Sequence, residues 1–131
     1  MNKLEELSER EYRYLTALKT SSPAGVRLKD LAATLGVSTP SAHEEVKHLS
    51  MKGMVINRRG MISLSTKGRR SLERLRAVHL ALETILTSYG YGKGACGATH
   101  SFEYAIPPRV ASAICDATGR PRECPQGHSE C

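Results

Sequence analysis

Leu28, Leu31, Ala32 and Leu35 recur at spacings of three, four and seven, the period of one helical face. Gly36 follows where a left-handed residue ends such a helix. Ser38-Thr39-Pro40-Ser41 then opens a second helix. Ser38 or Thr39 suits its cap and Pro40 its first position, while Ala42, Val46 and Leu49 form its buried stripe. After Gly53, short apolar runs at 54–57 and 61–64 flank a turn, Arg58-Arg59-Gly60, and predict two strands. Ser65 or Thr66 caps a long helix over 66–88, with Leu72, Leu75, Val78, Leu82, Ile85 and Leu86 on a broad apolar face. Upstream, an amphipathic helix over about 8–20 turns Tyr12, Leu15 and Leu18 inward, with Ser8 and Glu11 spaced as a capping box. Downstream, the glycines of 89–94 break the long helix. A short helix near 97–106 and a last one over 108–118 follow, and an irregular tail starts at Gly119.

Two short helices joined by a tight turn, then a hairpin, form a winged helix-turn-helix, the unit that lays its second helix in a DNA major groove. The fold class is therefore mostly α with a small β wing. Residues 1–70 make the DNA-binding domain, and residues 71–131 a helical domain for dimerisation and metal binding. The candidate DNA contacts are Arg27, Ser38, Thr39, Pro40, Ser41, Glu44, Lys47 and, at the wing tip, Arg58 and Arg59. Small hydroxyls suit phosphate oxygens and thymine methyls, a Glu can accept from a cytosine amine, and the arginines suit phosphates or the minor groove. Glu45, beside Glu44, is the acid that can instead turn back toward solvent or a lysine. One winged helix reads one half-site, so a homodimer on a palindromic operator is expected.

Charge supports this division. The 131 residues carry 19 Lys/Arg and 13 Asp/Glu, a net charge of +6. Residues 1–70 hold 13 basic and 7 acidic side chains and residues 71–131 hold 6 of each, so the whole surplus lies in the half that would face a polyanion. No run approaches the ~20 apolar residues of a membrane span, and the start lacks an apolar signal core, which predicts a cytoplasmic protein with no membrane partner. Four cysteines in that compartment point to thiols or metal ligands before disulfides.

The second half holds the chemistry. His79 and Glu83 stand at i and i+4, and Cys96, His100 and Glu103 at i, i+4 and i+7, each set on one helical face. Imidazole, thiolate and carboxylate together hold a divalent first-row metal. His79 lies off the apolar face of its helix, so it reads as available to a ligand and dispensable to the fold. In the tail, Cys124, His128 and Cys131 are further soft ligands, but Cys124 belongs to a Cys-Pro-x-Gly turn and the other two sit at the chain end.

The stretches 27–37, 38–46, 64–68, 79–86, 102–110 and 119–127 carry a resemblance to the diphtheria toxin repressor family, metal-dependent repressors that sense iron(II) or manganese(II). The chain is similar to short members that lack a third, SH3-like domain. The resemblance implies an ancillary metal site from His79, Glu83 and Cys96, the last standing where iron sensors use a histidine. It implies a primary site from Glu11, His100 and Glu103, with Tyr104 where the family has a further histidine ligand and Tyr14 where manganese sensors have a carboxylate. A Cys/His set is softer than a carboxylate set and leans toward iron(II), or zinc(II), over manganese(II). The implied function is a metal-activated repressor of metal homeostasis genes, not an enzyme. No nucleophile–base pair with a recognisable local motif appears. The competing readings are a winged-helix regulator that binds a small organic ligand without metal, and an iron–sulfur or thiol redox sensor using Cys96, Cys115, Cys124 and Cys131.

Overall fold

The computed structural model describes residues 7–127. Its elements are α1 (Glu9–Lys19), β1 (Val26–Arg27), α2 (Leu28–Leu35), α3 (Thr39–Met51), β2 (Val55–Arg58), β3 (Met61–Leu64), α4 (Thr66–Ser88), α5 (Ala95–His100), a 3₁₀ turn (Glu103–Ala105) and α6 (Pro108–Ala117). Among the described residues no helix is long and apolar enough to cross a membrane. The chain divides into two compact units, one of them Glu9–Leu72 and the other built on Glu73 onward.

In the first unit the punctuation residues set the helix ends. Gly36 takes a left-handed φ of 67°, and Val37 N–H reaches back to Ala32 O at 3.0 Å to close α2. Two residues on, Ser38 Oγ accepts from Ser41 N–H at 3.2 Å and caps α3, with Pro40 in its first turn. Ser38→Ala should therefore cost about 1 kcal/mol, read as a lower denaturant midpoint; an unchanged midpoint would remove the cap from this account. Leu15, Leu31, Ala42, Leu49, Met54 and Ile62 are buried together with Leu18 and Val46 as the core of this unit. On α1 the inward aromatic is Tyr14 and Tyr12 is only half-buried, which corrects the expected register.

The hairpin β2–β3 pairs Val55 with Leu64 and Arg58 with Met61 in antiparallel register. Only Arg59 and Gly60 connect the strands, at φ 53° and 81°, the paired positive φ values that a two-residue hairpin turn requires. Asn57 Oδ1 accepts from Gly60 N–H at 3.1 Å and steadies it. A third strand, β1, pairs Val26 with Ile62 on the other edge of β3, giving the order β1-β3-β2. Two residues carry no alternation of their own, so β1 had no local signal.

In the second unit every residue from Val78 to Glu83 on α4 is buried, a wider belt than the single apolar face expected. Val78, Ala81 and Leu82 pack with Cys115, Ile106, Ala111 and Ile114. Leu80 packs with Cys124 and Cys96. The helix expected near 97–106 is in fact broken. α5 stops at His100, Phe102 leaves the helical region with φ −140°, and a 3₁₀ turn carries Glu103.

Candidate metal centre and nucleic-acid surface

α4 supplies His79 and Glu83 one turn apart, both almost wholly buried. α5 supplies Cys96, half-buried, and His100, whose side chain is 45% exposed and leaves the cluster open to solvent on one side. The His79 and His100 rings stack with centroids 4.3 Å apart and planes 25° from parallel. Cys96 Sγ lies 3.5 Å from His79 Nε2 and 3.7 Å from His100 Nε2. The ligand atoms of these three residues all lie within 4.8 Å of one another. Glu83 Oε2 stands 3.2 Å from His79 Nε2.

This donor set fits a divalent ion. A tetrahedral ion bonded at about 2.0–2.1 Å to nitrogen and about 2.3 Å to sulfur holds N and S roughly 3.5 Å apart, close to both sulfur–nitrogen separations here. The cluster joins His100 to His79 and Cys96, with Glu83 beside His79, whereas the resemblance had implied two separate sites. Glu103 is 3% exposed and takes a different position. Its Oε2 is 2.6 Å from His79 Nδ1 and its Oε1 3.1 Å from His100 Nδ1, on the far edge of both rings from Nε2. His79 is 1% exposed, so the expectation that the fold can spare it is corrected by burial.

Glu11 belongs to the winged-helix unit, where it is 5% exposed and its Oε2 accepts from Lys52 Nζ at 2.7 Å. The chain offers Cys124 as a tail ligand or, by its Cys-Pro-x-Gly run, as a turn residue; the structure shows its thiol donating to Glu83 Oε1 at 3.4 Å. That contact spans 41 residues, beyond any local signal. Cys115 sits apart in the cluster of Val78, Ala81 and Leu82, where burial pushes its thiol pKa up. His128 and Cys131 lie outside the described residues.

On the winged-helix unit, Arg27, Ser38, Thr39, Pro40, Ser41, Glu44, Lys47, Arg58 and Arg59 are all exposed. Glu45 is half-buried and turned toward α1. Burial first, then its negative field, raises the Tyr14 pKa against the opposing pull of Arg10 and Arg13. Arg10, Arg13, Tyr14, Val37 and Ser41 line a cavity of about 460 Å³ beside the start of α3. The two arginines there escaped the sequence reading, because nothing on α1 alone distinguishes them from a solvated face.

The fold and the His/Cys cluster define a winged-helix protein with a metal-binding helical domain. Residues 65–131 match the family described as "Iron dependent repressor, metal binding and dimerisation domain". The chain belongs to this iron-dependent, diphtheria toxin repressor family of metal-dependent transcriptional repressors, regulators rather than enzymes. Among solved structures it is similar to a hypothetical protein, SSo2273, from Sulfolobus solfataricus: 31% identity over 93% of this chain and 97% of that one, with a TM-score of 0.83. It is also similar to a manganese-dependent transcriptional repressor solved with manganese, at 25% identity and TM-score 0.64, covering 90% of this chain and 56% of that one. ScaR with bound Zn2+ shares the fold at 21% identity and TM-score 0.73, covering 86% of this chain and 55% of that one. No curated protein matches the chain.

Proposed function

We propose that this chain is a homodimeric repressor that binds a palindromic DNA operator when a divalent metal occupies the centre of His79, Cys96, His100 and Glu83. The convergence of three soft or borderline donors, His79, Cys96 and His100, in the domain that matches the family's metal-binding region carries this reading. One thiolate and two imidazoles favour iron(II) or zinc(II) over manganese(II). Exposed Tyr89, Tyr91, Phe102 and Val110 give this domain apolar surface suited to pairing with a second copy. A regulator of this kind works in the cytoplasm, beside the DNA.

When bound, the metal supplies positive charge among a thiolate and buried carboxylates. The chain's own link to DNA is α4. Its first turn is tied to the winged helix, where Ser65 Oγ donates to Gly53 O, Lys67 Nζ donates to Lys52 O at 2.8 Å and Ser71 Oγ donates to Met54 Sδ at 3.6 Å. Two turns after Ser71 the same helix carries His79 and Glu83. Fixing those side chains acts on the helix that both units share, and the switch is a population shift that demands tighter metal binding to the DNA-competent state. Glu11, engaged by Lys52, is not needed in this scheme.

Anaerobic operator titrations with iron(II), zinc(II), manganese(II) and chelator test it. The expected order has iron(II) and zinc(II) stimulating binding more than manganese(II), with chelator abolishing it. Equal affinity in metal and in chelator would transfer the case to a metal-independent regulator. At the wing, Arg58→Gln with Arg59→Asn removes two cations while Asn still tolerates the left-handed turn. This variant should flatten the salt dependence of DNA binding by up to about two phosphate contacts. An unchanged slope would show that the wing does not touch the backbone. Arg10 and Arg13, beside Ser41, should add to the same slope.

A further inference from the structure

We infer that Glu103 and Cys124 are not ligands but the outer shell of one four-ligand centre, holding His79, His100 and Glu83 in ligating orientation. This rests on the metal-dependent reading above and assigns a role to the Cys-Pro-Gln-Gly turn that this reading leaves unused.

A carboxylate only accepts hydrogen bonds. Its two oxygens, 2.6 Å from His79 Nδ1 and 3.1 Å from His100 Nδ1, therefore receive an N–H from each ring. With the proton on Nδ1, the lone pair of each neutral imidazole sits on Nε2. Both Nε2 atoms face Cys96 Sγ, at 3.5 and 3.7 Å. One side chain thus fixes the tautomer and rotation of two ligands, as outer-shell carboxylates do in metal sites. An oxygen that accepts from Nδ1 lies on the wrong edge of the ring to share an ion with Nε2. The break after α5 puts Glu103 on a 3₁₀ turn, with its carboxylate at the Nδ1 edges of both rings.

Glu83 is held similarly. The Cys124 thiol donates to its Oε1 at 3.4 Å, leaving Oε2 toward His79 Nε2 at 3.2 Å, near the ~3.4 Å expected between N and O around one tetrahedral ion. Cys124 packs with Leu80 and Cys96, and its own carbonyl accepts from Gly127 N–H at 2.9 Å to close the turn. Gln126 Nε2 donates to Gly92 O and ties that turn to the loop preceding α5.

The test loads the full-length protein with cobalt(II) under anaerobic conditions and follows its absorption, with affinity measured by chelator competition. Wild type should show the intense visible bands of a four-coordinate ion and a near-ultraviolet thiolate charge-transfer band. Cys96→Ser should remove the latter. Glu103→Gln should keep both sets of bands while binding weakens about ten- to a hundredfold, because an amide offers one acceptor where two N–H groups need one each. Cys124→Ala should weaken binding with unchanged bands, and Cys124→Ser, which restores a donor, should recover most of the loss. Circular dichroism checks that each variant is folded, and the Cys124 pair decides the matter if Glu103→Gln does not fold. Collapse of the four-coordinate bands in Glu103→Gln would make Glu103 a ligand and overturn the inference, as would an unchanged affinity. Loss of charge-transfer intensity in Cys124→Ala would make Cys124 a ligand with the same consequence. If wild type binds no cobalt(II), the metal-dependent reading itself fails; if wild type binds and only the variants depart, that reading stands and the outer shell alone falls.

Discussion

His79→Ala should lose the metal response of DNA binding and, even in chelator, about 3–5 kcal/mol of stability. The second loss follows from burial. His79 is 1% exposed, Glu83 0% and Glu103 3%. The imidazole stands between the two carboxylates, 3.2 Å from Glu83 and 2.6 Å from Glu103. Removing it leaves each buried carboxylate short of a hydrogen-bond partner and opens a cavity in a fully buried site, which together cost that much. Denaturant unfolding in chelator isolates this term, because metal stabilises the native state only by mass action. Cys96→Ser is the matched control. It keeps the volume, exchanges a soft thiolate for a poor ligand and should leave the chelator midpoint within about 1 kcal/mol while metal affinity falls. A His79→Ala protein as stable as wild type in chelator would return His79 to the role read from the chain, a residue the helix can spare.

The contrast between those readings shows what the chain makes legible. α2, β3 and α4 begin and end where the pattern predicts, because Gly36, Gly60 and Ser65 punctuate them with backbone requirements that few other residues meet. The i, i+4 spacings were enough to put His79 with Glu83 and Cys96 with His100, since both pairs lie on continuous helix. Distant pairings carried no signal. Glu11 meets Lys52 and Cys124 meets Glu83 across 41 residues each, and β1 exists only because β3 offers an edge. Glu103 illustrates the intermediate case. Its residue type marked it for the site, but its role depended on a helix break at Ser101 and Phe102 that periodicity does not reveal. The belt of buried residues around α4 hid His79 in the same way, because a one-face reading assumes that only one neighbour covers a helix.

Gly68→Ala should be the most damaging single substitution in the winged-helix unit. A Cβ on Gly68 would stand 2.2 Å from Met54 O, 3.2 Å from Met54 C and 3.3 Å from Leu64 Cδ2. Two of these atoms are backbone, so no rotamer change relieves the contact. Met54 O also accepts from Ser65 N–H at 3.0 Å, and Ser65 Oγ accepts from Gly68 N–H at 3.0 Å. The first turn of α4 and the entry to β2 are therefore one hydrogen-bonded joint closed around a missing side chain. Forcing a methyl group into it must separate the wing from α4 or break that bonding. The expected cost is about 2–4 kcal/mol, at or above the upper end for overpacking, and a fall in melting temperature on the order of 10 °C. DNA affinity should fall in parallel, since the wing and the helix that carries His79 both start from this joint. Gly97→Ala is the comparison within the same protein. It sits inside α5 with no atom within 4 Å of an added Cβ, so helix propensity alone predicts a neutral change or a gain of up to about 1 kcal/mol. If both variants melt like wild type, the close approach of α4 to Met54 is not what holds the wing in place.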